Sequence, residues 1–386
     1  MKLINNKTNG IIMPRPETTI DAGSDPPTGQ LHREISEQPH ALRSALQGRL
    51  KASEGKIDLK NFEPHLPLLE QASKLTLVAC GSSWHAALIG EYLLEGLARI
   101  PVEVEYASEF CYRNPVIHKN DVVIVVSQSG TTADTIGAID HAQRQGAVVY
   151  GIYNQENSPI GEQVNAGLCT FSGAEGGLMS TKAFTNQVAV FILLALRLAD
   201  VKRTLNTSMF QHYLFELESM PQQIQRTLTL EESIQQLARF YTFAQNFLYL
   251  GRGINYPLAL EGALKLKELA HIHAEGYPAA EMKHGLIALI DKKMPVVALA
   301  TNSTLREKIL SNMMEIKSRN GHIIAIVQGN NEQVTQLADH TITLPNCSEL
   351  FSPLLNAVPL QLLAYHIAVM KGCNTDLPRQ QDLSPV

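Results

Sequence analysis

One texture recurs twice along the chain and constrains the fold more than any single motif does. A short apolar run, rich in β-branched residues, ends in a small polar loop and passes into a helical pattern. In the first half Leu75-Thr-Leu-Val-Ala ends in Cys80-Gly-Ser-Ser, Asp121-Val-Val-Ile-Val-Val in Ser127-Gln-Ser-Gly-Thr-Thr, and Val148-Val-Tyr-Gly-Ile-Tyr in Asn154. In the second half Phe247-Leu-Tyr-Leu ends in Gly251-Arg-Gly, Pro295-Val-Val-Ala-Leu-Ala in Thr301-Asn-Ser, and His322-Ile-Ile-Ala-Ile-Val in Gln328-Gly-Asn. Continuous apolar runs are buried on both faces, and strand–loop–helix repetition places them in a parallel sheet covered by helices on both sides. The expected fold is therefore α/β, with two such units duplicated in tandem.

A chain of 386 residues has room for two or three domains at about 100–200 residues each. The expected division is a leader (1–30) with four prolines among polar residues, a mostly helical segment (31–70) extended around Pro64 and Pro67, and a first α/β domain (71–200). A charged helical connection (201–237), a second α/β domain (238–372) and a tail (373–386) complete it.

Thirty-two basic and thirty-seven acidic residues leave a net charge of −5, which argues against nucleic acid as a partner. The five cysteines (Cys80, Cys111, Cys169, Cys347, Cys373) are scattered and never form a C-x-x-C pair. A disulfide framework or structural zinc site is not expected, and a reducing, cytoplasmic setting is. No run reaches the roughly 18 uninterrupted apolar residues of a membrane span, and the N-terminus lacks an apolar signal core, so no membrane partner is expected.

In open α/β sheets ligands bind beyond the carboxyl ends of the strands, where helix N-termini favour anions. Ser127-Gln128-Ser129-Gly130-Thr131-Thr132 occupies such a place with four hydroxyls, an amide and a glycine. A helix cap with spare hydroxyls explains one of these side chains; their density favours a phosphate or polyol site. Neither Walker A nor G-x-G-x-x-G is present, which disfavours a nucleotide. Gly81-Ser82-Ser83 and Met179-Ser180-Thr181-Lys182 carry further hydroxyls, whereas the second-half loops lack the array.

Pro257 suits a helix first turn, and Glu261, Lys265 and Glu268 then share one stripe. On an exposed face they form an ordinary ion pair; flanked by Leu258, Leu260, Leu264, Leu266 and Leu269, they can instead be desolvated into a proton-transfer group. His271 and His273 supply only two metal ligands, so no metal is expected. His284 reads equally as an acid–base group or a loop histidine.

Seven stretches in order carry a resemblance: Glu34-Ile-Ser-Glu-Gln-Pro39, Ala107-Ser-Glu-Phe110, Ser127-Gln-Ser-Gly130, Ser180-Thr-Lys-Ala-Phe-Thr185, Leu260-Glu-Gly-Ala-Leu-Lys-Leu-Lys-Glu268, Lys283-His-Gly285 and Pro359-Leu-Gln-Leu-Leu-Ala-Tyr-His366. From about His32 to Pro378 the chain resembles the isomerase half of glutamine-fructose-6-phosphate aminotransferase, which is built from two sugar isomerase (SIS) domains. The resemblance implies that Ser83, Ser127, Gln128, Ser129, Thr132 and Ser180 hold a phosphosugar. It likewise implies that Glu268 shuttles a proton between C1 and C2 beside Lys265, and that His284 opens the sugar ring from a neighbouring subunit, hence a homodimer. No cofactor is implied.

Two departures bear on function. Lys2 follows Met1 where the family exposes a cysteine nucleophile in a glutaminase domain, and Leu383 stands where a tail lysine forms a Schiff base; Lys182 and Lys371 are candidate replacements. The resulting expectation is an isomerising amino-sugar-phosphate deaminase that does not hydrolyse glutamine. The alternatives are an ammonia-dependent synthase served by a separate glutaminase, and a phosphosugar sensor.

Overall fold

The computed structural model describes residues 29–301 and 303–377. Nearly all of the expected leader, and the tail beyond Leu377 with Leu383, lie outside the described residues. Helices α1 (Gln30–Ser36) and α2 (Gln38–Leu46) open the fold, and α2 buries Ala41, Leu42, Ala45 and Leu46. The segment to residue 70 is less helical than expected: β1 (Leu50–Lys51) and β2 (Lys56–Ile57) pair antiparallel across a turn closed by Gly55 at φ 64°. The extended segment expected around Pro64 and Pro67 is instead helical. Pro64 lies in a 3-10 turn, Lys60–His65, and Pro67 occupies the first turn of α3 (Leu66–Gln71), where its missing N–H costs nothing.

The first unit runs β3 (Leu75–Ala79), α4 (Gly81–Leu93), β4 (Val102–Tyr106), α5 (Ala107–Arg113), β5 (Val122–Ser127), α6 (Ala133–Arg144), β6 (Val148–Tyr153), α7 (Pro159–Gln163), β7 (Ala166–Cys169) and α8 (Lys182–Val201). Helices α9 (Thr207–Leu228) and α10 (Glu231–Tyr241) connect it to the second. That unit contains β8 (Asn246–Gly251), α11 (Asn255–Ala270), β9 (His273–Pro278), β10 (Pro295–Leu299), α12 (Arg306–Ser318), β11 (His322–Gln328), α13 (Glu332–Leu337), β12 (His340–Leu344) and α14 (Ser352–Met370).

Both sheets are five-stranded and parallel, ordered β4-β3-β5-β6-β7 and β9-β8-β10-β11-β12. In each the second strand along the sequence lies outside the first, so the duplication extends to topology. The order reverses between β3 and β5, and between β8 and β10. Such a switch point opens a crevice at the carboxyl ends of the strands.

Three hydrophobic clusters hold the layers together. One covers the outer face of the first sheet around Val123, Val125 and Ile139, and another that of the second around Val296, Ala298 and Met313. The largest is continuous through both inner faces and through α4, α8, α11 and α14. A fully buried Leu, Val or Phe contributes about 1.5–3 kcal/mol, so the shared core joins the two units firmly. Helix α8 and the stretch Glu349–Met370 are long and apolar enough to cross a membrane by composition alone, yet 83% and 89% of their apolar windows are buried inside the protein. They are its central helices.

Candidate functional site

The β3/β5 crevice holds a cavity of about 230 Å³ lined by Cys80, Ser82, Ser83, Val126, Ser127, Gln128, Ser129, Thr132, Thr135, Ser180 and Glu268. Seven of the nine residues expected from sequence are thus walls of one cavity, contributed by the ends of β3 and β5, the start of α8 and the last turns of α11. A larger cavity of about 780 Å³, between α2 and the Gly173–Ala174 turn, shares none of these residues and lacks their convergence of hydroxyls with a carboxylate.

The Ser127–Thr132 loop is built to present donors. Gly130 stands at φ +68°, and a Cβ there would lie 2.2 Å from Ser158 Oγ, so the turn requires glycine. Its N–H donates to Ser127 Oγ at 3.1 Å, and Ser127 Oγ lies 3.3 Å from Thr132 Oγ1. Thr132 sits at the N-cap of α6, but its side chain accepts no bond from the helix; Cys80, at the N-cap of α4, likewise makes none. The hydroxyls are therefore not consumed by capping, and the first-turn N–H groups of both helices leave the crevice suited to an anion. Ser83 accepts a bond from Gln187 Nε2 on α8 at 2.9 Å.

The stretch carrying Ser180 is held from below. Glu34 of α1 accepts from the N–H groups of Gly176 and Gly177 at 2.7 and 3.2 Å. Glu175 accepts from Thr181 N, Thr181 Oγ1 and Ala183 N, taking the capping role at α8 that Thr181 leaves open. Gln38 bonds Gln361 at 2.8 Å and Thr185 at 2.6 Å. Several of the matching stretches thus brace the pocket and do not line it.

The Glu261, Lys265 and Glu268 stripe is desolvated, not solvated. Lys265 is fully buried, with its Nζ 2.9 Å from Glu268 Oε2, 3.0 Å from Ser82 Oγ and 3.3 Å from Glu261 Oε1. Burial alone would lower the Lys265 pKa; the Glu261 and Glu268 carboxylates outweigh it and raise it. Burial would likewise raise Glu261, but Lys265 and then His85 hold it below its ordinary value. The result is a fixed ammonium whose neighbour Glu268, one-third exposed, faces the cavity.

His284 is not part of this cavity: it is exposed at the end of a 3-10 turn, Glu281–His284, that follows β9 and buries Met282. His271 sits at the left-handed C-terminus of α11 and His273 begins β9. Lys182 is engaged by Glu37 at 2.6 Å. Sequence reasoning missed His85, whose Nδ1 lies 2.7 Å from Glu261 Oε2. A lone histidine on a largely buried helix offers no spacing signal, and its partner is 176 residues away. At the second switch point, Asn255, Thr301 and Asn356 bond one another and are buried, so amide side chains fill the place that hydroxyls line in the first.

The switch-point crevice thus gathers hydroxyls, two helix N-termini and a carboxylate paired to a buried lysine in a protein of two tandem parallel α/β domains. The chain belongs to the SIS domain family, whose pattern matches residues 68–197 and 241–371. It is 50% identical over 347 residues to a glutamine–fructose-6-phosphate aminotransferase (isomerizing) of Bacteroides thetaiotaomicron, covering 90% of this chain and 56% of that protein. The chain therefore spans little more than half the length of such relatives. The C-terminal domain of glucosamine-fructose-6-phosphate aminotransferase from Francisella tularensis superposes with a TM-score of 0.85 at 35% identity, covering 90% of this chain and 98% of that one. A glucosamine-6-phosphate deaminase of Thermotoga maritima, 22% identical with a TM-score of 0.72 over 91% of this chain and 98% of its own, shares the fold.

Proposed function

We propose that the chain binds a hexose phosphate at the Ser127–Thr132 loop and interconverts glucosamine 6-phosphate, or a close amino-sugar phosphate, with fructose 6-phosphate and ammonia. The observation that carries this reading is the placement of Glu268 in the same wall as Ser83, Ser127, Ser129, Thr132 and Ser180, with Lys265 2.9 Å from its carboxylate.

In the deaminating direction Glu268 takes the C2 proton of the open-chain amino sugar, and the electron pair moves toward the C1 carbonyl oxygen. The fixed charge of Lys265 stabilises that oxygen. Glu268 returns the proton to C1, leaving the imine of the ketose, which water hydrolyses to fructose 6-phosphate and ammonia. The synthetic direction is the reverse. A carboxylate within reach of both carbons serves either, and ammonia supply sets the net flux. His284 of a second copy opens the ring in this account, consistent with its place outside its own chain's cavity.

Retention of the acid–base pair beside the binding loop favours an enzyme over a sensor. The test is proton exchange: fructose 6-phosphate incubated with the protein in heavy water acquires deuterium at C1 if Glu268 acts there. Binding without exchange rejects the catalytic reading.

A further inference from the structure

Ser82 and His85 lie one turn apart on α4, and Lys265 and Glu261 one turn apart on α11. Ser82 Oγ meets Lys265 Nζ at 3.0 Å, and His85 Nδ1 meets Glu261 Oε2 at 2.7 Å. The two domains are therefore joined by two polar rungs, one above the other. The first helix begins at the sugar pocket and the second carries Glu268.

We infer that His85 is a positioning residue for proton transfer: it fixes Glu261, through Glu261 the ammonium of Lys265, and through Lys265 the carboxylate of Glu268. The inference rests on the reading of Glu268 as the base. Glu261 is 1% exposed, where an ionised carboxylate needs partners for both oxygens. Its Oε2 accepts from His85, and because a carboxylate only accepts, the Nδ1 of His85 carries the proton. Its Oε1 has Lys265 at 3.3 Å but no well-aligned hydrogen bond. The short hydrogen bond that orients this side chain is thus the one from His85, with Lys265 and Ser82 as looser neighbours. Without that anchor both carboxylate oxygens are free to turn onto Lys265, drawing the ammonium from Glu268 and Ser82.

His85 is not a wall of the sugar cavity, so its loss removes no substrate contact. Its ring is buried and packs edge-on against Trp84 at 5.5 Å. Because the same helix supplies Ser83 to the pocket, the brace sets the phosphosugar loop and the base in register across the domain boundary.

The test compares the parent chain, His85→Ala, His85→Asn and Glu268→Gln for turnover of glucosamine 6-phosphate and for its binding. For His85→Ala the expected result is a fall in kcat of about tenfold or more with KM and the calorimetric Kd changed less than about threefold. His85→Asn, whose amide nitrogen takes the place of Nδ1, should recover most of the loss. A kcat for His85→Ala within about twofold of the parent, with Glu268→Gln inactive, overturns this inference and leaves the base assignment standing. If His85→Asn folds and is no more active than His85→Ala, or if neither folds, the residue is structural and the inference fails. A parent chain with no turnover fails the functional reading itself, and this inference with it.

Discussion

Lys265 Nζ lies 3.0 Å from Ser82 Oγ, so a buried cation on the second domain is bonded directly to the first turn of α4 in the first. Its removal should be felt in folding as well as in chemistry. Lys265→Ala strands the Glu261 carboxylate, which is 1% exposed, and breaking such a buried pair costs about 3–5 kcal/mol. The double variant Glu261→Gln, Lys265→Met removes both charges and should recover much of that loss. Urea denaturation of the parent and both variants measures it, and equal stability of all three would contradict the pairing.

The glycine of the anion loop provides a second prediction. Gly130→Ala places a Cβ 2.2 Å from Ser158 Oγ on a backbone at φ +68°. The loop must shift, at a cost above about 1 kcal/mol, and the donors move with it. Calorimetric titration should find phosphosugar affinity reduced by about tenfold or more, because that loss corresponds to only about 1.4 kcal/mol. Unchanged affinity would separate this loop from the phosphate.

Acid stability should depend on Glu231. His32 Nε2 at 2.6 Å and His366 Nε2 at 3.1 Å tie α10 to α1 and α14 through this one carboxylate. The bond from His32, then that from His366, holds its pKa at about 2 against an ordinary 4.5. A carboxyl depressed in the folded state stabilises fully above its unfolded pKa, and that contribution is lost as pH falls through the folded one. The urea midpoint of Glu231→Gln should therefore lie below the parent's at about pH 5, where the carboxylate is ionised. The margin should shrink between 4.5 and about 2. A margin that grows on acidification would contradict the clamp.

The fold was legible where burial is symmetrical. The three inner strands of each sheet were read from sequence: β3, β5 and β6, then β8, β10 and β11. Nearly all their residues are buried, so they appear as unbroken apolar runs. All four edge strands escaped notice. Val102-Glu-Val-Glu-Tyr and His273-Ala-Glu-Gly-Tyr-Pro are half-exposed, Ala166-Gly-Leu-Cys is short, and His340-Thr-Ile-Thr-Leu alternates. Edges carry polar side chains to resist pairing, and that removes their signal.

Within the site, hydroxyl density singled out the Ser127–Thr132 loop and helix spacing the Glu261–Lys265–Glu268 stripe, whereas the grouping of Ser83, Ser180 and Glu268 with that loop came from the family resemblance. What stayed hidden depends on contacts between distant segments. His85 is defined by Glu261, and Glu34 by Gly176 and Gly177. Each looks unremarkable in its own helix.

The proposed sharing of His284 between two copies predicts complementation. Glu268→Gln and His284→Ala should each be inactive alone. Unfolded together and refolded, or co-expressed, half the dimers are mixed and each mixed dimer has one intact site, giving about a quarter of parental activity. No recovery, with mixed dimers demonstrated by mass, would place His284 in its own chain's chemistry or outside it.

The most direct test of the central claim is incubation of the purified chain with glucosamine 6-phosphate, quantifying fructose 6-phosphate and ammonia, and then of fructose 6-phosphate with ammonium, quantifying the amino sugar. The account predicts conversion by the parent, none by Glu268→Gln, and retained sugar-phosphate binding in that variant. Undiminished turnover by Glu268→Gln, or sugar-phosphate binding by the parent with no conversion in either direction, would contradict it.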